Sequence, residues 1–358
     1  EYFPPEPTAT PNVENEITEC EDAYRLGDTE RAIEVCQMAI LGQPNNVVLH
    51  YRLAHMLVTT SNLGTDQERL DRAMEIAEYT INAAPESYLG WAIRGMVLDW
   101  SGENEKALAS LQRAQELDEN AILTQAHLAN VYRNLGDTEL ALATIENAVD
   151  TLERQGGTNE IVAQVYRNYG RVLWLYQEYT NALDAFQRAW QAMPNQGYIA
   201  IDLATTYNIL EEPEEALQVL QEALDRNPND ILLLYEMGYY YRYQLGDPTQ
   251  AMVMFSNCLR SDSNYIPCLS EMGQIQYLAN SNYELALENL RQAVELGSED
   301  PYDWYLTGRS YYQLNDCASA LPYLRQGLTY LREQGGDLQV EENDFNVAFQ
   351  ACGAEPPL

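Results

Sequence analysis

Lysine is almost missing from this 358-residue chain: Lys106 stands alone among 20 basic residues, against 55 acidic ones, for a formal net charge of −35. A field of that sign repels a nucleic-acid duplex and an anionic membrane surface, which argues against either as a partner. It suits cations or basic surfaces, and it is equally what a long, solvated outer face would carry. No apolar run approaches the roughly 18 residues that a membrane-spanning helix needs, so no membrane insertion is expected. Histidine is scarce, with only His50, His55 and His127, and no two cysteines have metal-finger spacing; a zinc site is not predicted. Acidic turns at 225–230 and 341–344 depart from the spacing of an oxygen-ligand calcium loop.

The chemistry of catalysis is also missing. There is no glycine-rich phosphate loop with a lysine, no helical pair of metal-binding histidines and no serine elbow. No catalytic residue, metal or cofactor is therefore assigned, and the chain is not expected to be an enzyme. No asparagine lies in an N-glycosylation sequon. Phenylalanine is rare, 5 against 26 tyrosines, so tyrosine serves as the general aromatic.

What is present is a self-similarity of about 34 residues that runs nearly end to end. One turn of it reads Trp91, Gly95, Leu98, Ala107, Leu111, Ala114. Gly170, Ala182, Phe186, Ala189 and Ala204, Ala216, Leu220, Ala223 repeat the spacing, each set followed by a proline, Pro194 or Pro228. Small residues at these places let two helices approach closely, and the proline stops the second before the next begins. The pattern resembles the tetratricopeptide repeat. That resemblance implies an all-α fold, a right-handed superhelical solenoid of helix-turn-helix units engaged in protein–protein association.

About nine copies begin near Val13, Val47, Tyr88, Ile122, Ala163, Gly197, Ile231, Ile266 and Pro301. The first is degenerate, with Glu16 and Cys20 where an aromatic and a glycine are usual. The second carries extra residues around Thr59 to Glu68, and a longer loop is predicted from Thr151 to Asn159. The expected organisation is an extended arm at 1–12, a solenoid at 13–334 with contacts only between neighbours, and a final amphipathic helix with tail at 335–358. Phe345, Ala348, Phe349 and Cys352 share one side of that helix, as a cap over the last core face requires. A docking face for another subunit is the competing reading.

The six cysteines fall into three pairs that the repeat alignment brings together: Cys20 with Cys36, Cys258 with Cys268, Cys317 with Cys352. Three disulfides and an oxidising compartment follow, with buried free thiols as the alternative. The chain opens on Glu1 rather than methionine, which suggests processing, and a secreted, extracellular or cell-surface location is expected.

The arm contains Tyr2, Phe3, Pro4, Pro5 and Pro7, flanked by Glu1 and Glu6. Its prolines favour an extended polyproline conformation. The resemblance places the first helix of each pair on the concave face. Carried over copy by copy, it implies a groove of Arg133, Arg167, Arg171, Trp174 and Tyr198, then Tyr235, Tyr239, Arg242, Tyr243, Tyr277, Tyr302, Tyr305, Arg309 and Tyr312. Tyrosine and arginine suit an extended aromatic, acidic peptide. The competing reading packs these tyrosines between helices. The arm itself is such a peptide, so head-to-tail self-assembly into an oligomer or filament is the sharpest expectation. A monomeric periplasmic or surface adaptor for another protein's peptide is second. An enzyme or accessory acting on an envelope polysaccharide is a distant third.

Overall fold

The computed structural model describes residues 13–61, 66–336 and 339–357, and among them there are nineteen helices and no strand. The fold is all-α, a succession of helical hairpins. Contacts divide the chain into two compact units, Glu1–Asn227 and Pro228–Leu358.

The first unit holds six hairpins: α1 (Val13–Leu26) with α2 (Thr29–Gly42), α3 (Val47–Thr59) with α4 (Gln67–Ala83), and α5 (Tyr88–Trp100) with α6 (Asn104–Leu117). They continue as α7 (Ile122–Leu135) with α8 (Thr138–Gln155), α9 (Asn159–Leu175) with α10 (Tyr179–Ala192), and α11 (Gly197–Ile209) with α12 (Pro213–Arg226). Helix starts follow local chemistry. Asp28, Asn46, Asp66 and Ser87 each accept a backbone N–H of the first turn they cap. Within each hairpin the alanines make the close approach: Ala182, Phe186 and Ala189 are fully buried. Phe186 lies where a Cβ on Gly170 would come within 2.7 Å of its ring, so glycine there creates the space the ring fills. Burying such a side chain contributes about 1.5–3 kcal/mol.

Two expectations need correcting here. The long loop predicted from Thr151 to Asn159 is only residues 156–158, because α8 and α9 each extend by a turn; Thr151 and Leu152 are buried helical residues. Contacts are also not confined to neighbours. The Nδ2 of Asn195 donates to the Arg25 carbonyl at 2.8 Å, Gln196 Nε2 to the Tyr24 carbonyl at 3.2 Å, and Asn227 Nδ2 to the Gly27 carbonyl at 2.8 Å. Side-chain amides before α11 and after α12 thus bond carbonyls at and just past the C-terminal end of α1. The first hairpin thereby closes onto the fifth and sixth.

The second unit comprises α13 (Ile231–Tyr243) with α14 (Pro248–Ser261), α15 (Ile266–Leu278) with α16 (Tyr283–Glu295), α17 (Pro301–Gln313) with α18 (Cys317–Gln334), and a last helix α19 (Glu342–Ala351). Prolines occupy the first turns of α14, α15 and α17, where no N–H is needed. On α19, Phe345, Ala348 and Phe349 are buried against Leu324, Leu328 and Leu331. Glu341 and Asp344, one of the acidic turns, form the reciprocal cap of this helix.

All six cysteines are in disulfides: Cys20–Cys36 joins α1 to α2 at 2.03 Å, Cys258–Cys268 joins α14 to α15 at 2.07 Å, and Cys317–Cys352 ties the end of α19 to the start of α18 at 2.10 Å. The arm residues Tyr2, Phe3, Pro4, Pro5 and Pro7 lie outside the described residues.

Candidate functional site

In each unit the first helices of successive hairpins touch one another, as α5 with α7, α7 with α9, and α15 with α17. This places their outward-turned side chains on a shared inner face. The two inner faces differ in what occupies them.

In the first unit the inner face is spanned by its own side chains. Gln164 on α9 donates from Nε2 to His55 Nε2 at 2.7 Å and to Tyr198 Oη at 3.0 Å, and His55 Nδ1 meets Tyr24 Oη at 3.3 Å. Since Nε2 accepts, the proton of the neutral ring sits on Nδ1. Tyr51 Oη bonds His127 Nε2 at 2.9 Å. Arg52 makes a fork with Glu160 across 108 residues of sequence, at 2.6 and 3.2 Å, and its third nitrogen reaches Glu21 at 3.2 Å. Burial, with help from the charges of His127 and Arg167, pulls His55 down to about 3; burial alone takes His127 to about 4. Both rings are uncharged at neutral pH.

Nearer the C-terminal ends of the inner helices lie the arginines. Arg167 pairs with Asp202 at 2.6 Å, both largely buried, and its guanidinium lies 4.6 Å from the Tyr198 ring centre. Arg133 donates through Nε and Nη2 to the side-chain oxygen of Asn130. Arg171 is half-buried beside both. Trp174, by contrast, leans on Phe186, ring centres 4.8 Å apart, and serves the packing between α9 and α10.

In the second unit Arg242 pairs with Glu271, donates from Nη1 to Gln274 Oε1 at 3.2 Å, and lies 4.8 Å from the Tyr243 ring centre. Burial raises the Glu271 carboxyl while Arg242 opposes it. The rings of Tyr239 and Tyr243 meet at a tilt, centres 4.4 Å apart, and stay 40% and 43% exposed, so they form surface rather than core. Tyr235 is half-buried against Phe255 and Tyr265. Tyr302 is buried, Tyr305 packs edge-on to Phe345, and Tyr277 edge-on to Tyr283. Arg309 is bracketed by Tyr305 and Tyr312 at 5.9 and 5.6 Å and hydrogen-bonded to Tyr277. Its buried Nε has no partner among the described residues. The tyrosines thus divide between surface and packing.

Sequence reasoning missed Tyr24, Tyr51, His55, His127 and Gln164 as a group. Their signal was there in part: Tyr51 and His55, like Tyr198 and Asp202, stand four apart on a first helix and share one face. What joins them are contacts of α3 with α1, α7 and α9, which no local spacing encodes.

Stacked hairpins with polar, aromatic inner faces define the class of α-helical interaction scaffolds. Tetratricopeptide repeat models match residues 118–195, 173–235 and 276–337, and the chain belongs to the tetratricopeptide repeat family. No curated protein matches the sequence. Among solved structures, a chain of the APC/C hetero-tetramer Cut9–Hcn1 superposes with a TM-score of 0.56 at 13% identity, over 84% of this chain and 57% of that one. This chain therefore spans little more than half of that protein. Human IFIT1, as a dimer with m7Gppp-AAAA, gives 0.54 at 13% identity over 88% of this chain and 72% of that one. At such identity the likeness is one of fold.

Proposed function

We propose that this scaffold is a secreted protein that binds an extended, proline-rich, aromatic and acidic peptide on the inner face of its second unit, and that the occupant is the arm, residues 1–12, of a second copy. The observation that carries the reading is the contrast between the two inner faces. The first is crossed by Gln164, His55, Tyr24 and the Arg52–Glu160 fork. The second keeps Tyr239 and Tyr243 exposed and holds Arg309 among tyrosines with no carboxylate partner among the described residues. Tyrosine faces stack on proline rings, and Arg309 complements a carboxylate such as Glu1 or Glu6. Three disulfides favour an oxidising compartment.

A protein lacking residues 1–12 is titrated with a fluorescent peptide of those residues, and the full chain and the shortened one are compared by sedimentation. Binding weakened at least tenfold by Tyr239→Ala with Arg309→Gln, together with arm-dependent mass of the full chain, is the expected result. A peptide that does not bind, and a mass unchanged by the deletion, would overturn self-assembly and leave the adaptor reading.

A further inference from the structure

The three disulfides are not equivalent. Cys20, Cys36, Cys258 and Cys268 are completely buried, whereas Cys317 and Cys352 each keep part of their surface in solvent. Exchange requires a thiolate to reach a sulfur, so access singles out the third bond. That bond also closes the largest loop, 35 positions against 16 and 10, and the chain freedom regained on opening grows with loop length. What it holds differs as well. The buried bonds join α1 to α2 and α14 to α15, helices that already pack side by side. The third holds α19, a single helix of ten residues that lies mainly on α18. Its apolar anchors are Phe345, Ala348 and Phe349, with the Phe345 ring seated over Gly327 of α18, where a Cβ would come within 2.9 Å of it. Its polar ties are on the surface: an exposed Arg332–Glu342 pair, and Arg332 donating to the Pro357 carbonyl at 3.3 and 3.4 Å. Such exposed contacts contribute little.

We propose that Cys317–Cys352 is a reducible latch: a dithiol reductant opens it while the two buried bonds stay closed, and α19 then lifts from α18. Cys317 is the first residue of α18, directly after its N-cap Asp316, where the helix dipole favours a thiolate. Cys317 is therefore the better leaving group. A thiolate of the reductant bonds to Cys352 Sγ, the S–S bond breaks, and Cys317 leaves with the electron pair. The reductant's second thiol then displaces Cys352, so the reductant becomes a disulfide and its two protons end on Cys317 and Cys352. Lifting α19 uncovers Leu324, Leu328 and Leu331. It also removes Phe345 from Tyr305, whose ring centre lies 5.2 Å from that of Phe345 and 5.9 Å from the Arg309 guanidinium. The latch thereby reaches the inner face of the second unit, whatever occupies that face.

The full, oxidised chain is treated under native conditions with graded dithiothreitol, open thiols are capped with iodoacetamide and mapped by mass, and amide exchange is followed at each step. Cys317 and Cys352 are expected to be capped at about one-tenth, or less, of the reductant concentration that opens either buried pair. Exchange in α19 is then faster by roughly 100-fold, while α1 and α2 keep their rates. A protein carrying Cys317→Ser with Cys352→Ser is expected to show the same faster exchange without reductant, which separates the latch from the chemistry of its opening. Three pairs opening together, a buried pair opening first, or unchanged exchange in α19 once the third bond is open would each overturn the proposal.

Discussion

Single side chains in the first unit set a pH limit on its stability. His55 and His127 are neutral in the folded chain, displaced by burial to about 3 and about 4, while an unfolded histidine titrates near 6.5. Between those values the unfolded chain binds more protons than the folded one. Stability is therefore untouched above pH 6.5 and falls as pH drops towards 4. Each unit of displacement corresponds to about 1.4 kcal/mol, so His127→Gln is expected to lessen the loss between pH 7 and 4.5 by roughly 1–3 kcal/mol. Urea unfolding at the two pH values measures it, and parallel losses in parent and variant would refute the neutral, buried assignment. At this scale the sequence was legible where a residue's role is local: the alanines and the paired cysteines could be read from the repeat spacing. The histidines looked isolated because their partners, Tyr24 and Gln164 for His55 and Tyr51 for His127, lie 31, 109 and 76 positions away.

Among the elements, α1 departs most from what repetition alone specifies. Its hairpin was the poorest match to the repeat, and its Cys20 bonds to Cys36 where a glycine is usual. Its end meets the turn before α11 rather than solvent. Gly27, at φ +78°, lies so close to Asn195 that a Cβ would overlap that residue's carbonyl oxygen. Gly102 has nearly the same φ, +76°, with nothing within 4 Å of where a Cβ would sit. Alanine at either position incurs the left-handed backbone cost, about 1 kcal/mol; only at Gly27 does it also press apart α1 and the turn. Gly27→Ala is expected to lower unfolding free energy by about 1–3 kcal/mol more than Gly102→Ala, and to speed amide exchange in α1. Equal effects would mean that the contact contributes little. The period of about 34 residues located nearly every helix. The loop at 151–159 was misplaced because extra residues can lengthen helices as readily as loops. The closure was invisible because it depends on the accumulated rotation of five hairpins.

For the whole molecule, charge governs association. Two copies at −35 each repel one another, and any docking of the arm must work against that field. Screening reaches about 20 Å at 20 mM salt and about 6 Å at 300 mM, so most of the repulsion between copies is removed across this range. Short contacts between tyrosine and proline rings are hardly affected, and a single Arg309–carboxylate contact is weakened only slightly. Self-association is therefore expected to strengthen with salt, by several-fold to tenfold in dissociation constant between 20 and 300 mM, and to strengthen again as pH falls towards the isoelectric point near 4.2. Disulfide-intact protein followed by sedimentation velocity at fixed concentration gives the sign directly. Association that weakens with salt would place opposite charges, rather than aromatic and proline faces, at the centre of the interface, and would move the docking surface away from Tyr239 and Tyr243.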